Sequence, residues 1–231
     1  MQTTPGTWHQ QVEAVICDMD NTLFDLVGAK REACRCVVDY LGTGDPEALY
    51  LRFLNGTHGF EDHRNIRDYL EALGAYQPGT FEVCCRIYED VKLDLVEPYP
   101  GVEETLRCLQ DAGIRLAVAT DAVSVQADRR LTKTGLIEFF EVVVTPEVSG
   151  RRKPDPDSLL YALRQIDTVP EKAMMVGDSP RRDIAPGRQL GMVTAFAAYG
   201  DRERSRTAEI VADIVLAEFS ELLDHMGIRG R

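Results

Sequence analysis

The sequence predicts an α/β protein in which a parallel β-sheet lies between layers of helices, with a helical unit inserted near the N-terminus. Short apolar runs end abruptly in polar residues, as Glu13–Cys17 does before Asp18. Amphipathic stretches separate these runs, so strand and helix alternate. The stretch from Leu26 to Glu97 breaks this rhythm, because it has helical periodicity and no convincing strand.

Several runs fit buried parallel strands, since each is apolar and stops at a polar or turn-forming residue. They are Glu13–Cys17, Ile114–Ala119, Glu141–Val144, Lys172–Val176, Val193–Ala197 and Ile214–Leu216. Parallel strands joined by helices require right-handed crossovers. Ligands of such sheets bind beyond the carboxyl ends of the strands, and a site is therefore expected there.

The inserted stretch predicts four helices. The first has an apolar face formed by Ala29, Ala33, Val37 and Leu41, and the second is the shorter segment Leu49–Leu54. The third has an apolar face formed by Ile66, Tyr69, Leu70 and Leu73, and the fourth has one that extends from Phe81 to Leu95. The Pro-rich segment 97–101 is typical of a return to another domain. We therefore predict a core formed by residues 1–25 and 98–231 and a helical domain formed by residues 26–97.

Composition narrows the function classes. The 231 residues carry 26 basic and 38 acidic side chains, a formal charge of 26 − 38 = −12, which disfavours nucleic-acid binding. The sequence contains neither a secretion signal nor an apolar run of about 18 residues, so we expect no membrane association and a cytoplasmic location. The six cysteines lack zinc-site spacing, so they are expected to be reduced and mostly structural.

Acidic residues directly follow the first strand. Asp18 and Asp20 alternate along an extended chain, so their carboxylates project to one side about 6–7 Å apart. Two such groups could divide labour, one as an ionised nucleophile and the other as a proton carrier. Alternatively, they are solvated acids of a capped loop.

Further polar groups follow other strands. Asp178 and Asp183 come after Lys172–Val176, and with Asp18 they could hold Mg²⁺, which prefers oxygen ligands. Asp183 could instead be an acid at a helix start. Thr120 offers a hydroxyl and nearby backbone N–H groups to a phosphate, and Lys153 offers an ammonium.

In combination, these residues closely resemble the four motifs of the haloacid dehalogenase superfamily. Asp18, Asp20 and Thr22 match the first motif, Thr120 the second, Lys153 the third, and Asp178 with Asp183 the fourth. The resemblance spans roughly residues 12 to 220 and implies a Rossmann-like core with the helical insertion as a cap. Asn21 and Asp121 replace the Gly and Asn that are frequent in this family.

The resemblance implies a Mg²⁺-dependent phosphatase that acts on a small phosphorylated metabolite. Asp18 would attack phosphorus and Asp20 would protonate the leaving alkoxide, while Asp18, Asp20, Asp178 and Asp183 form the metal site. Thr120, Asp121 and Lys153 would hold the phosphate. Thr57, His58 and Arg64 of the helical insertion are candidate contacts to the rest of the substrate.

Three alternatives remain open. A phosphomutase shares these residues, and a catalytically silent phosphate-binding module would be expected to lack Asp18 or Lys153. A dehalogenase typically lacks the acid that is present here as Asp20. The sequence does not distinguish a monomer from a homodimer.

Overall fold

The computed structural model describes residues 12–55, 58–201 and 211–228. The chain divides into two compact units, one comprising Met1–Asp25 and Glu97–Arg231 and the other Leu26–Val96. We call them the core unit and the helical unit. The sequence-based boundary after residue 97 differs from this division by one residue, since Glu97 belongs to the core unit.

A six-stranded sheet forms the centre of the core unit in the described part of the chain, with the order β3-β2-β1-β4-β5-β6. Neighbouring strands are all parallel. The strands are β1 (Ala14–Cys17), β2 (Arg115–Ala119), β3 (Val142–Val144), β4 (Ala173–Gly177), β5 (Val193–Ala197) and β6 (Ile214–Leu216). The predicted α/β fold is confirmed.

The central strands are buried because helices cover the sheet. Every residue of β1 and β4 is buried, and their sequences are nearly continuous apolar runs, as expected for strands covered on both faces. The helices and short helical turns that follow the strands of the core unit are α5 (Val102–Asp111), α6 (Ser124–Lys133), a 3₁₀ turn (Leu136–Phe139), α7 (Pro146–Ser149), α8 (Asp157–Gln165), a second 3₁₀ turn (Pro170–Lys172), a π-helical turn (Pro180–Ile184), α9 (Ala185–Leu190) and α10 (Glu221–Met226).

The helical unit has its own hydrophobic core. Its described residues form α1 (Leu26–Leu41), α2 (Pro46–Asn55), α3 (Arg64–Ala72) and α4 (Pro78–Asp94). Most of the apolar residues predicted from periodicity meet in one cluster that includes Val37, Ile66 and Tyr88, whereas Leu73 and Leu95 at the ends of the third and fourth predicted faces are exposed. Phe53 and Tyr88 stack within it at a ring-centroid distance of 4.6 Å. No described helix of either unit combines the length and hydropathy needed to cross a bilayer.

The sheet order places the carboxyl ends of three strands next to one another. Strand β1 lies between β2 and β4, with Cys17 paired to Val118 on one side and to Val176 on the other. Because the strands are parallel, the residues that follow them emerge at the same edge of the sheet. These residues are Asp18, Thr120 and Asp178.

Candidate active site

Asp18 lies at the centre of this edge. Its backbone N–H donates to the carbonyl of Val176 at 2.8 Å, so the β1–β4 pairing extends one residue past the strand. The residue is 6% exposed. Its Oδ1 accepts a hydrogen bond from Lys153 Nζ at 2.6 Å, and the Thr22 hydroxyl lies 3.5 Å from Oδ2. The carboxylate is therefore fixed in a nearly closed environment.

The buried ammonium of Lys153 connects the parts of the site. Besides Asp18, Nζ donates to the carbonyl of Ala119 at 2.8 Å and to Asp183 Oδ1 at 2.6 Å. Burial lowers the pKa of Lys153, but the carboxylates of Asp18 and Asp183 outweigh burial and raise it above its ordinary value. The side chain is therefore a charged group whose three donors are all engaged.

Asp183 approaches the sheet closely because the facing residue is glycine. A Cβ on Gly177 would lie 2.4 Å from Asp183 Cγ, a distance that no side chain tolerates. Asp183 Oδ2 accepts a hydrogen bond from the Ser179 backbone N–H at 2.9 Å. Ser179-Pro180 opens a π-helical turn, and this turn carries Asp183 back toward β4.

The geometry and charges of the acids fit a divalent cation. One carboxylate oxygen from each of Asp18, Asp178 and Asp183 lies within 4.8 Å of the others, and all three residues are buried. Asp178 Oδ1 is buried without a hydrogen-bond partner in the described chain. Buried polar atoms are normally satisfied, so this oxygen suggests a ligand position. An all-oxygen donor set is suited to a hard cation such as Mg²⁺.

The crowding of the acids also alters their protonation. Burial raises the pKa of Asp178 well above its ordinary value, and the charges of Asp18 and Asp183 raise it further. For Asp183, burial raises the pKa to about 6 although Lys153 opposes the rise. Both shifts arise first from burial, and the neighbouring carboxylates add to them, because the site holds more negative charge than Lys153 balances.

The predicted phosphate-binding residues border this cluster. Thr120 is 2% exposed, and its hydroxyl accepts a hydrogen bond from the Ala122 N–H at 3.1 Å. Asp121 Oδ1 accepts the backbone N–H of Lys153 at 2.9 Å, and its Oδ2 lies 3.9 Å from the Arg182 guanidinium. Asp121 thus fixes the backbone of Lys153.

Asp20 has a partner that sequence reasoning missed. Arg130 Nη1 donates to both carboxylate oxygens of Asp20, at 2.9 and 2.8 Å. The Arg130 side chain is 1% exposed. Helical periodicity contains a signal for it, since Arg130 lies three residues after Ala127 and shares its buried face of α6.

The proposed substrate contacts of the helical unit are engaged locally. His58 Nε2 lies 2.9 Å from Asp68 Oδ2, and Arg64 donates to Asp62 at 2.7–3.0 Å. Thr57 lies outside the described residues. The structure thus brings together Asp18, Thr120, Asp121, Lys153, Asp178 and Asp183, with Asp20 two residues along the chain, whereas His58 and Arg64 belong to the other unit.

The chain belongs to the haloacid dehalogenase-like hydrolases, because the model of that family matches residues 15–197. The matched range includes every residue of the candidate site, from Asp18 to Asp183.

Two curated relatives are named a phosphatase and a pyrophosphatase. The glyceraldehyde 3-phosphate phosphatase of Methanopyrus kandleri is 31% identical over 92% of this chain and 96% of its own length. Pyrophosphatase PpaX of Halalkalibacterium halodurans is 36% identical over 59% of this chain and 63% of its own. Among solved structures, a Thermotoga maritima protein assigned as a beta-phosphoglucomutase is 25% identical, with a TM-score of 0.78 over 94% of this chain and 99% of its own.

Proposed function

We propose that this protein is a phosphatase that hydrolyses a small phosphomonoester through a phosphorylated aspartate. The observation that carries the proposal is the buried carboxylate of Asp18, held by Lys153 beside Asp178 and Asp183 at the carboxyl edge of the sheet. The relative from Methanopyrus kandleri, similar over nearly the whole chain, is named a phosphatase of glyceraldehyde 3-phosphate. A related three-carbon phosphate is thus a first substrate to test.

In the first step, an oxygen of Asp18 attacks phosphorus, and the bond between phosphorus and the ester oxygen breaks. Lys153 orients the attacking group, since its ammonium holds Oδ1 at 2.6 Å. The leaving alkoxide takes a proton from Asp20, which is the second acid of the pair. Covalent catalysis of this type replaces one difficult step by two easier ones.

In the second step, water attacks the phosphorus of the aspartyl-phosphate, and the bond between phosphorus and the Asp18 oxygen breaks. Asp20, now ionised, takes the proton of that water and is restored for the next cycle. Inorganic phosphate leaves, and Asp18 is again a carboxylate. Thr120 lies at the adjacent strand end, where its hydroxyl and neighbouring backbone N–H groups are placed to bind phosphate oxygens.

Asp18, Asp178 and Asp183 are the residues that would hold Mg²⁺, with the Asp20 backbone carbonyl as a further ligand implied by the family resemblance. When bound, the cation reduces the repulsion between a dianionic phosphate and an anionic nucleophile. Asp178 supplies Oδ1, which has no hydrogen-bond partner among the described residues. Lys153 already occupies Asp183 Oδ1, so it shares that acid with the cation site.

We also propose that the helical unit selects the substrate, through His58, Arg64 and the neighbouring Thr57. The support is chemical: His58 and Arg64 offer hydrogen-bond donors to the polar part of a phosphoester. A selective role predicts that His58→Ala and Arg64→Ala change the ranking of substrates. A scaffold role predicts equal loss on all of them.

A phosphomutase is the second candidate, favoured by the similarity to the Thermotoga maritima protein. It would use the same Asp18 and Asp20 but return the phosphoryl group to another hydroxyl. The two activities differ in their products. A mutase requires a bisphosphate and yields an isomeric phosphate, whereas a phosphatase releases inorganic phosphate.

The test is a phosphate-release assay with Mg²⁺ against glyceraldehyde 3-phosphate, sugar phosphates, phosphoglycolate, nucleotides and pyrophosphate. We expect at least one phosphomonoester to be hydrolysed by the wild type, with a loss of about 1,000-fold or more in Asp18→Asn. Asp25→Asn is the matched control, because it removes an acid of the same loop that has no assigned role. Equal activity of Asp18→Asn and wild type would refute the proposal.

A further inference from the structure

The contact between Arg130 and Asp20 joins two residues that are 110 positions apart in the chain. Arg130 is the largest fully buried side chain in the described structure, and it lies on the face of α6 that also buries Ala127 and Leu131. Removing a guanidinium from water is unfavourable unless an acid compensates for it. Asp20 provides that acid, so the two side chains determine each other's positions.

The backbone around Asp20 is already fixed by local hydrogen bonds. Asp20 forms an isolated bridge with Phe24, and the Asn21 N–H donates to the Phe24 carbonyl at 2.8 Å. Asn21 has φ 61°, and the neighbouring chain is so close that a Cβ on Gly200 would lie 1.7 Å from the Asn21 carbonyl oxygen. The remaining freedom of Asp20 is therefore mainly rotation of its side chain. Arg130 Nη1 restricts that rotation by bonding both oxygens.

We infer that Arg130 is a positioning residue that holds the Asp20 carboxylate in the orientation from which it serves the leaving group and then the attacking water. The inference rests on the proposed phosphatase function. Proton transfer requires a donor within hydrogen-bond reach of the reacting oxygen, so a freely rotating Asp20 would be productive for only part of the time. Arg130 itself does not touch the substrate in this scheme.

Leaving-group dependence distinguishes this role from a merely structural one. An alkoxide needs a proton as it departs, whereas p-nitrophenolate is weakly basic and leaves without one. The parameter to measure is kcat/KM, because it includes only the steps up to transfer of the phosphoryl group. A defect in Asp20 therefore lowers kcat/KM for an alkyl phosphate and leaves that for p-nitrophenyl phosphate nearly unchanged.

The experiment compares wild type, Arg130→Met, Arg130→Lys, Asp20→Asn and the double variant Arg130→Met/Asp20→Asn on both substrates. We expect Arg130→Met to lower kcat/KM for the alkyl phosphate by about 30-fold, which is less than the 10²–10⁴-fold contribution of a general acid because Asp20 itself remains, and that for p-nitrophenyl phosphate by less than about 3-fold. Arg130→Lys should recover part of the loss. In the Asp20→Asn background, Arg130→Met should have no further effect on the alkyl phosphate.

Arg107→Met is the matched control, because it removes a 61% exposed arginine that pairs with Glu103 on α5. It should leave both substrates unaffected. If Arg130→Met does not fold, Arg130→Lys carries the same comparison, with an expected selective loss of about 5-fold on the alkyl phosphate.

Two results would overturn the inference while leaving the phosphatase proposal intact: equal losses on both substrates, or a full additional loss in the double variant. A wild-type protein that hydrolyses none of these esters would instead overturn the proposed function, and this inference with it.

Discussion

The core unit and the helical unit each bury a lysine among acids, but the two clusters differ in charge. In the core unit, Lys153 donates hydrogen bonds to Asp18 and Asp183, and a third buried acid, Asp178, lies beside them. In the helical unit, Lys92 lies 2.8 Å from Glu89 and 3.4 Å from Glu61, and His63 lies 2.8 Å from the same Glu89.

Protonation shows the consequence of this difference. Hydrogen bonds with Cys85 and Glu89 raise the pKa of His63 to about 9, so at neutral pH two cations face the two glutamates. The core cluster instead has three acids around the Lys153 ammonium, with the Arg182 guanidinium as a further positive charge, and burial together with the neighbouring carboxylates raises the pKa of Asp178. A cluster with equal numbers of positive and negative side chains requires no further cation, whereas a cluster with excess carboxylates favours a bound cation. The same residue types therefore form a charge-balanced cluster in the helical unit and the proposed active site in the core unit.

The largest effect is expected from removing each lysine. Lys153→Met should abolish measurable phosphatase activity and destabilise the metal-free protein by about 3–5 kcal/mol, because it leaves buried acids unpaired. Lys92→Met should also destabilise, but kcat of the folded protein should stay within about 3-fold of wild type. Denaturant unfolding and phosphate release measure the two effects. Equal loss of kcat in both variants would contradict the distinction.

Magnesium should stabilise the core cluster by an amount that depends on Asp178. At 100 times its Kd, a ligand specific to the native state adds about 2.7 kcal/mol, which raises Tm by roughly 5–10 °C for a chain of this size. Asp178→Asn should remove most of this increment. Without Mg²⁺, the same substitution should raise Tm above that of wild type, because it removes a buried like charge.

Thermal unfolding with and without Mg²⁺ checks both effects, and Asp213→Asn serves as a control outside the cluster. An unchanged magnesium increment in Asp178→Asn would exclude this acid from the cation site.

Substitutions of glycine by alanine should also affect stability differently in the two units. Gly177→Ala places a methyl group 2.4 Å from Asp183 Cγ, so it should displace that acid, cost about 1–3 kcal/mol and weaken the magnesium effect. A methyl group on Gly79, in the first turn of α4, has no atom within 4 Å. Gly79→Ala should be neutral or stabilising by up to about 1 kcal/mol. Urea unfolding measures the change in the free energy of unfolding for both variants. Equal changes would show that the short distance between Asp183 and β4 does not limit residue 177 to glycine.

The smallest effects should appear in two separate pH windows. The folded-state pKa of Asp183, about 6, lies above its unfolded value, so the associated stability is present at low pH and is lost as the pH rises to about 6. The folded-state pKa of His63, about 9, lies above an unfolded value of about 6.5, so its contribution is present below pH 6.5 and is lost as the pH rises through 9.

Thermal unfolding as a function of pH tests the assignment of these windows. His63→Gln should remove only the second loss of stability, and saturating Mg²⁺ should remove only the first. A Mg²⁺ effect on the loss of stability near pH 9 would contradict the assignment of that loss to His63.

Much of the core could be predicted because its signals are local. A buried parallel strand must be apolar along its length and stop where the chain reaches solvent, so each strand end was visible beside its polar residue. Asp18, Thr120 and Asp178 were predictable at one edge for that reason. The π-helical turn after Ser179 could not be predicted in the same way, because it brings Asp183 against Gly177, a contact that neither strand nor helix periodicity reveals.

Patterns local in the chain were enough to predict the fold class, the positions of most strands and helices, and the types of side chain at the strand ends. The pairing of the polar groups became known from the folded structure: Arg130 pairs with Asp20 and Asp121 with the Lys153 backbone, while Asp178 Oδ1 has no partner in the described chain. The two kinds of information differ in the sequence separation of the residues that carry them. Strand and helix patterns arise from neighbours along the chain, whereas charge balance depends on residues that become neighbours only after folding.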